Sequence, residues 1–119
     1  MPARLRPADP VAVTAAVARF RAGEAGDSDL RLLVKHLLAL LVRKAPGQAV
    51  EVRVPPYAAA QAVGGTTHKR GTPPAVVELD PATWVSLGLG DLTWEAAEGQ
   101  GRLAASGERS DLSSLLPLL

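Results

Sequence analysis

The residues best suited to chemistry lie between Thr67 and Pro81, in the stretch THKRGTPPAVVELDP. His68 and Arg70 carry, or can carry, positive charge, and the carboxylates Glu78 and Asp80 follow soon after. If the segment folds back on itself, His68 and Glu78 could act as an acid–base pair while Arg70 binds an anion. Arg70 and Glu78 could instead form a structural ion pair, since guanidinium pairs well with carboxylate.

Local signals explain part of this stretch without any chemistry. A polar loop with a rigid turn is predicted at Gly71, Thr72, Pro73 and Pro74, and AVVEL after it is typical of a strand. Asp80 before Pro81 predicts the N-cap and first position of a helix. His68, Arg70 and Glu78 are the polar residues that local structure leaves unexplained.

The sequence lacks the motifs of the common enzyme classes. There is no cysteine and there are only two histidines, so a zinc site would need carboxylates at spacings that the chain does not offer. No nucleophile elbow, phosphate-binding loop or dinucleotide fingerprint is present. We therefore predict no metal, no cofactor and no catalytic residues, and favour a non-enzymatic function over catalysis by His68 and Glu78.

Composition narrows the choice of partners. The net charge of +1 over 119 residues lacks the basic excess of a nucleic-acid-binding domain. The longest apolar run, LLALLV at Leu37–Val42, is far shorter than the roughly 20 residues of a membrane span. No convincing export signal precedes it, so the sequence predicts a cytoplasmic protein.

Two helices are predicted before the first strand. Asp9-Pro10 opens an amphipathic helix over residues 10–22, and Ser28 is predicted to cap a second helix over residues 28–45. Leucines surround this second helix on nearly every side, which indicates that it is covered on more than one side. A homodimer contact or a lipid-facing wall would each explain that pattern.

Strands and short helices follow in a single domain spanning residues 1–119. The order predicts an α+β, two-layer fold with one mostly antiparallel sheet of four or five strands covered by helices. Its predicted elements are strands at VEVRV, YAAAQAV, AVVEL and RLAASG, helices after Asp80 and Thr93, and a final turn, DLSSLL. THKRG is either a third short strand or the far side of the turn before it.

Large apolar residues could line a cavity. Tyr57, Trp84 and Trp94 supply most of the aromatic surface, and Leu37 and Leu41 lie on the leucine-rich helix. One interpretation makes these five residues the wall of a ligand cavity; the other makes them ordinary core.

The second half of the chain resembles the C-terminal half of a sterol carrier protein type 2 domain. The pattern is a strand, an acid-capped helix, a glycine-terminated helix, a Gly-Arg-Leu strand and a closing helix, and GQGRLAASGERSDLSSLLPLL matches its last part. The upstream HKRGTPP and VVELDP segments are similar to a bacterial orthologue group of that family. The resemblance covers roughly residues 28–119.

The resemblance implies a sheet covered by helices with an apolar tunnel between them. It implies non-catalytic binding of a sterol, fatty acid or acyl ester, with His68 and Arg70 holding a carboxylate or phosphate head at the mouth. The alternative is an interaction module without an open cavity, which would form a homodimer through the leucine-rich helix 28–45.

Overall fold

The computed structural model describes residues 5–65, 75–107 and 109–119. Over these ranges two helices come first, three strands follow, and two shorter helices lead to a fourth strand. The elements are α1 (Pro10–Arg21), α2 (Asp27–Lys44), β1 (Val50–Val54), β2 (Ala58–Ala62), β3 (Ala75–Leu79), α3 (Pro81–Leu89), α4 (Trp94–Gly99), β4 (Leu103–Ser106) and a 3-10 turn at Ser113–Leu115.

The four described strands form one sheet in the order β2-β1-β3-β4. β2 pairs with β1 and β4 pairs with β3 in antiparallel fashion, whereas the central pair β1 and β3 is parallel. The predicted α+β fold with a mostly antiparallel sheet is therefore confirmed, with one parallel pair that the sequence did not indicate. THKRG, for which the sequence leaves a strand or a turn open, lies outside the described residues.

The parallel pair follows from where β3 joins the sheet. β2 runs back along β1, so the chain leaves β2 at the end of the sheet where β1 begins. β3 then starts beside Val50, at that same end but on the other side of β1. Starting at a shared end, β1 and β3 run in the same direction.

Helix α2 is the central helix of the molecule. It packs against α1, α3 and the edge strand β2. Leu33, Leu37, Leu38 and Leu41 are completely buried in consequence. The predicted cover on more than one side is supplied by elements of the same chain.

The start of α2 differs from the prediction. The helix begins at Asp27, with Gly26 rather than Ser28 as the N-cap. The Asp29 carboxylate accepts a hydrogen bond from Gly26 N at 3.3 Å and also binds Arg19 of α1 at 2.8 Å. The hydrogen bonds from the guanidinium of Arg19 hold the pKa of Asp29 below its ordinary value. An acid in the first turn of the helix thus replaces the serine cap.

The segment before α1 is attached to α2 through a buried histidine. Ala8 N donates a hydrogen bond to Nδ1 of His36 at 2.8 Å, and His36 is only 7% exposed. Burial lowers the pKa of His36, because it disfavours the charged imidazolium. An Nδ1 that accepts a hydrogen bond is unprotonated, so His36 is neutral in this fold.

The sheet has one covered face and one open face. Val50, Val52 and Val54 of β1 point to the helices and are fully buried. Between them, Glu51 is half-buried and Arg53 is exposed on the other face, where Arg53 binds Glu51 at 2.8 Å. Alternation of this kind is expected for a sheet with one solvated face.

Among the residues that the structure describes, no helix is both long enough and apolar enough to cross a membrane.

Candidate functional site

A cleft of about 300 Å³ lies between the corner that joins α3 to α4 and the last residues of the described chain. Its surface is mainly apolar, with one charged residue and two hydroxyl groups. The lining residues are Leu87, Gly90, Leu92, Thr93, Trp94, Glu95, Ser113, Leu116 and Pro117.

The corner between α3 and α4 is fixed by caps at both helix ends. α3 ends at Leu89, and its C-cap Gly90 has a φ of 80°, in the left-handed region that glycine adopts without strain. The Thr93 hydroxyl then accepts a hydrogen bond from Ala96 N at 3.1 Å and starts α4. These caps put Trp94 and Glu95, the first two residues of α4, beside the end of α3.

The opposite wall is residues 112–119, which we call the C-terminal strap. Its far end is attached to α3 by backbone hydrogen bonds from Leu118 N and Leu119 N to the carbonyl of Gly88, at 2.8 and 3.1 Å. Lys44 of α2 donates through Nζ to the carbonyl of Leu115 at 2.9 Å. Apolar packing holds the strap as well: Leu112 at its start is buried in the core, and Leu115, Leu116 and Leu118 pack against the core while partly buried.

The start of α3 is held by a chain of three polar side chains. Asp80 caps the helix, accepting from Thr83 N at 3.1 Å and from the buried hydroxyl of Thr83. Arg102 donates through Nε to the same hydroxyl at 3.1 Å. Burial raises the pKa of Asp80, but the hydrogen bonds from Thr83 outweigh it and leave that pKa below the ordinary value.

This network assigns a structural use to two features of the sequence. Asp80 acts as the predicted helix cap. Arg102, the arginine of the Gly-Arg-Leu segment, ties the start of β4 to the start of α3 through Thr83. Neither side chain lines the cleft.

The predicted apolar ligand residues divide into two groups. Leu37, Leu41 and Trp84 are completely buried, and the Trp84 indole donates to the carbonyl of Val34 at 3.3 Å. These three side chains belong to the packed core. Trp94, which is 5% exposed, is the member of the set that lines the cleft.

Tyr57 lies at a different and shallower cleft on the hairpin between β1 and β2, which also includes Arg53 and Glu78. The Tyr57 hydroxyl is 3.4 Å from Asp27, and the guanidinium of Arg31 lies 5.6 Å from the centre of its ring. Glu78 is exposed and is paired in register with Arg53, next to it on β1. The structure thus does not bring Tyr57 together with Trp94.

Several predicted residues lie outside the described ranges. They are His68, Arg70, Gly71, Thr72, Pro73 and Pro74. Their predicted roles in ligand binding or in a polar loop stay predictions. Within the described ranges, no group of three or more His, Cys, Asp or Glu residues is arranged to hold a metal ion.

Sequence reasoning missed most of the cleft. The sequence predicts Thr93, Glu95 and Leu116 only as parts of short helical elements, and neither these three residues nor Leu92 is predicted as a site residue. The available signal was the closeness of Gly90 and Thr93, which predicts that α3 ends and α4 begins within three residues. Such a short connection makes a sharp corner, but it does not reveal that the strap lies against it.

Comparison with known proteins supports the family resemblance seen in the sequence. The model of one protein family, described as bacterial SCP ortholog, matches residues 27–118. No curated protein matches this chain. The match begins at the first residue of α2, includes the sheet and the corner that forms the cleft, and ends within the strap. Because it covers well over half of the sequence, the chain belongs to the bacterial orthologues of the sterol carrier protein family.

Proposed function

We propose that the protein binds a hydrophobic or amphipathic ligand, such as a sterol, fatty acid or acyl ester, without converting it chemically. The observation that carries the proposal is the cleft beneath the C-terminal strap, with Leu87, Leu92, Trp94 and Leu116 in its wall. Membership of the family supports the same class of ligand. Apolar walls with few polar groups are typical of small-molecule sites.

The size of the cleft bears on how a ligand would enter. Its volume of about 300 Å³ is at the lower end of the range for ligand pockets, which is roughly 300 to 1,000 Å³. A larger ligand would need the strap to move away from Gly90 and Trp94. The end of the strap would be released, with Leu112 left in the core, if the bonds from Leu118 and Leu119 to Gly88 broke and Leu116 and Leu118 left their packing against the core.

Tryptophan fluorescence offers a direct test. Titration with a medium-chain alcohol or acid should change the emission of the wild-type protein, and Trp94→Phe should lose most of that change. Native mass spectrometry should still detect the ligand on Trp94→Phe, because phenylalanine keeps an apolar ring. A fluorescence change that survives in Trp94→Phe would assign binding to the region of Trp84 and contradict the proposed site.

A matched pair of strap variants tests the wall itself. Leu115 and Leu116 are adjacent and both half-buried, but only Leu116 lines the cleft. Leu116→Asn should weaken ligand binding several-fold, because it replaces apolar contact with an amide. Leu115→Asn should weaken it much less. Equal losses in the two variants would indicate a general loosening of the strap and would argue against a contact with the ligand.

The alternative function, a homodimer formed through helix 28–45, draws less support from the packing. The buried residues of α2 are Leu33, Val34, His36, Leu37, Leu38, Ala39 and Leu41, all covered within one chain. The exposed large hydrophobic residues of the described ranges are Val11 and Leu119, and neither lies on α2. Sedimentation velocity over a range of concentrations would test this alternative.

A further inference from the structure

The charge of the cleft is carried by a single residue. Of the nine lining residues, all in the described part of the chain, Glu95 is the charged one. Glu95 is exposed, in the first turn of α4, and directly follows Trp94. A charged head group at this mouth would therefore meet a carboxylate.

No other lining residue offsets this negative charge, and Lys44, whose ammonium donates to the Leu115 carbonyl of the strap, does not line the cleft. The Thr93 hydroxyl already accepts a hydrogen bond from Ala96 N, so it can offer a ligand its proton but no positive charge. Ser113 supplies a second neutral hydroxyl. The nearby amides of Leu118 and Leu119 are occupied by the carbonyl of Gly88.

Head groups of different charge would therefore interact with the mouth differently. A carboxylate head would lie near Glu95 and be repelled by it, whereas an ammonium head would be attracted. An uncharged hydroxyl head would be intermediate.

We propose that Glu95 makes the cleft select amphiphiles by head-group charge, with ammonium heads bound most tightly, hydroxyl heads next and carboxylate heads least tightly. This inference rests on the proposed function, because it concerns the same cleft. It is opposite to the sequence-based prediction that His68 and Arg70 hold a carboxylate head. The two proposals predict opposite orders of affinity for a carboxylate head and an ammonium head.

The test uses three probes with the same alkyl chain: decyltrimethylammonium, decanol and decanoate, each below its micelle-forming concentration. Exposed ion pairs contribute about 0.2 to 1 kcal/mol, so each change of head group should alter Kd by about 1.5-fold to fivefold. The wild-type protein should bind the ammonium probe most tightly. Added salt should reduce the differences, since exposed charges are screened.

Two charge reversals on the same helix provide the matched comparison. Glu95→Lys should reverse the order of the ammonium and carboxylate probes, and Glu95→Gln should make their affinities nearly equal. Glu98→Lys makes the same change in net charge at an exposed position of α4 that does not line the cleft. It should leave the wild-type order in place.

Each outcome bears on one of the two proposals. If decanoate binds the wild-type protein as tightly as the ammonium probe, selection by charge is wrong while ligand binding stands. If Glu98→Lys changes the order as much as Glu95→Lys, the effect belongs to the overall charge and not to Glu95. If none of the three probes binds, the proposed function itself fails.

Discussion

His36 should make the stability of this protein depend on pH in the mildly acidic range. Burial lowers the pKa of His36 below its ordinary value of about 6.5, so the folded protein binds this proton less readily than the unfolded chain does. Stability is therefore highest above the unfolded-state pKa. It is lost as the pH falls through that value toward the lower pKa of the folded state.

The size of the effect follows from the contact that protonation breaks. A proton on Nδ1 would remove the acceptor for Ala8 N, which now lies 2.8 Å away. A hydrogen bond of this kind contributes about 0.5 to 1.5 kcal/mol, and the buried charge adds to the cost. Because one proton with an unfolded-state pKa of about 6.5 sets the limit, we expect the free energy of unfolding to fall by about 1 kcal/mol, and by no more than about 1.4 kcal/mol, between pH 7.5 and pH 5.5.

Two substitutions separate the hydrogen bond from the titration. His36→Asn keeps an oxygen that can accept from Ala8 N but has no proton to gain in this range. His36→Leu removes both properties and should lose about 1 kcal/mol at pH 7.5, because the Ala8 amide is left without its partner. Urea unfolding followed by the fluorescence of Trp84 and Trp94, both buried, would measure each variant at both pH values.

Comparing the His36 variants with His68→Asn identifies which histidine causes the pH dependence. Wild type and His68→Asn should both show the loss of stability at pH 5.5, whereas His36→Asn and His36→Leu should lose much less. If His36→Asn retains the full pH dependence of the wild type, the titrating group lies elsewhere and this reasoning is refuted.

Three further predictions concern packing and local geometry. Leu37→Ala should cost about 2 to 5 kcal/mol in chemical unfolding, because this leucine is completely buried; a loss of ligand binding without that cost would return Leu37 to the ligand wall. Thr83→Val should cost about 1 kcal/mol, because it removes the buried hydroxyl that hydrogen-bonds to the exposed Asp80 and the half-buried Arg102; an unchanged urea midpoint would count against the network. Gly47→Ala should strongly lower the melting temperature, since a Cβ there would overlap the Val63 backbone, while Gly99→Ala, with open space around its Cβ, should raise it slightly; equal shifts would contradict this.

Local chemistry made much of the fold predictable. Asp9-Pro10 and Asp80-Pro81 each predicted a helix start, and both acids cap helices through side-chain hydrogen bonds. Alternation of valine with charged residues predicted β1, and its burial alternates accordingly. These signals could be read because each depends on residues only a few positions apart.

Predictions failed where a distant residue supplied the partner. Ser28 satisfied the local rule for an N-cap, but α2 starts one residue earlier with Asp29 in its first turn, held also by Arg19 of α1. The parallel pairing of β1 with β3 could not be read from either strand, because both strand directions depend on the path of the chain between them.

The candidate site was the least predictable part. Trp84 and Trp94 looked equivalent as aromatic residues on short helices, yet Trp84 is enclosed by the core and Trp94 lines a cleft. The difference arises because the C-terminal strap returns to α3 and binds Gly88. No pattern near either tryptophan contains that information.

By itself, the sequence determined the α+β class, the helix starts, the first strand and the resemblance to the sterol carrier protein family. Capping, periodicity and short motifs are properties of neighbouring residues, so they can be read along the chain. The tertiary structure alone decided that α2 is covered within the chain, that the sheet is mixed, and that Trp94 and Glu95 face the strap. Those outcomes depend on contacts between residues far apart in sequence, and only the folded chain brings such residues together.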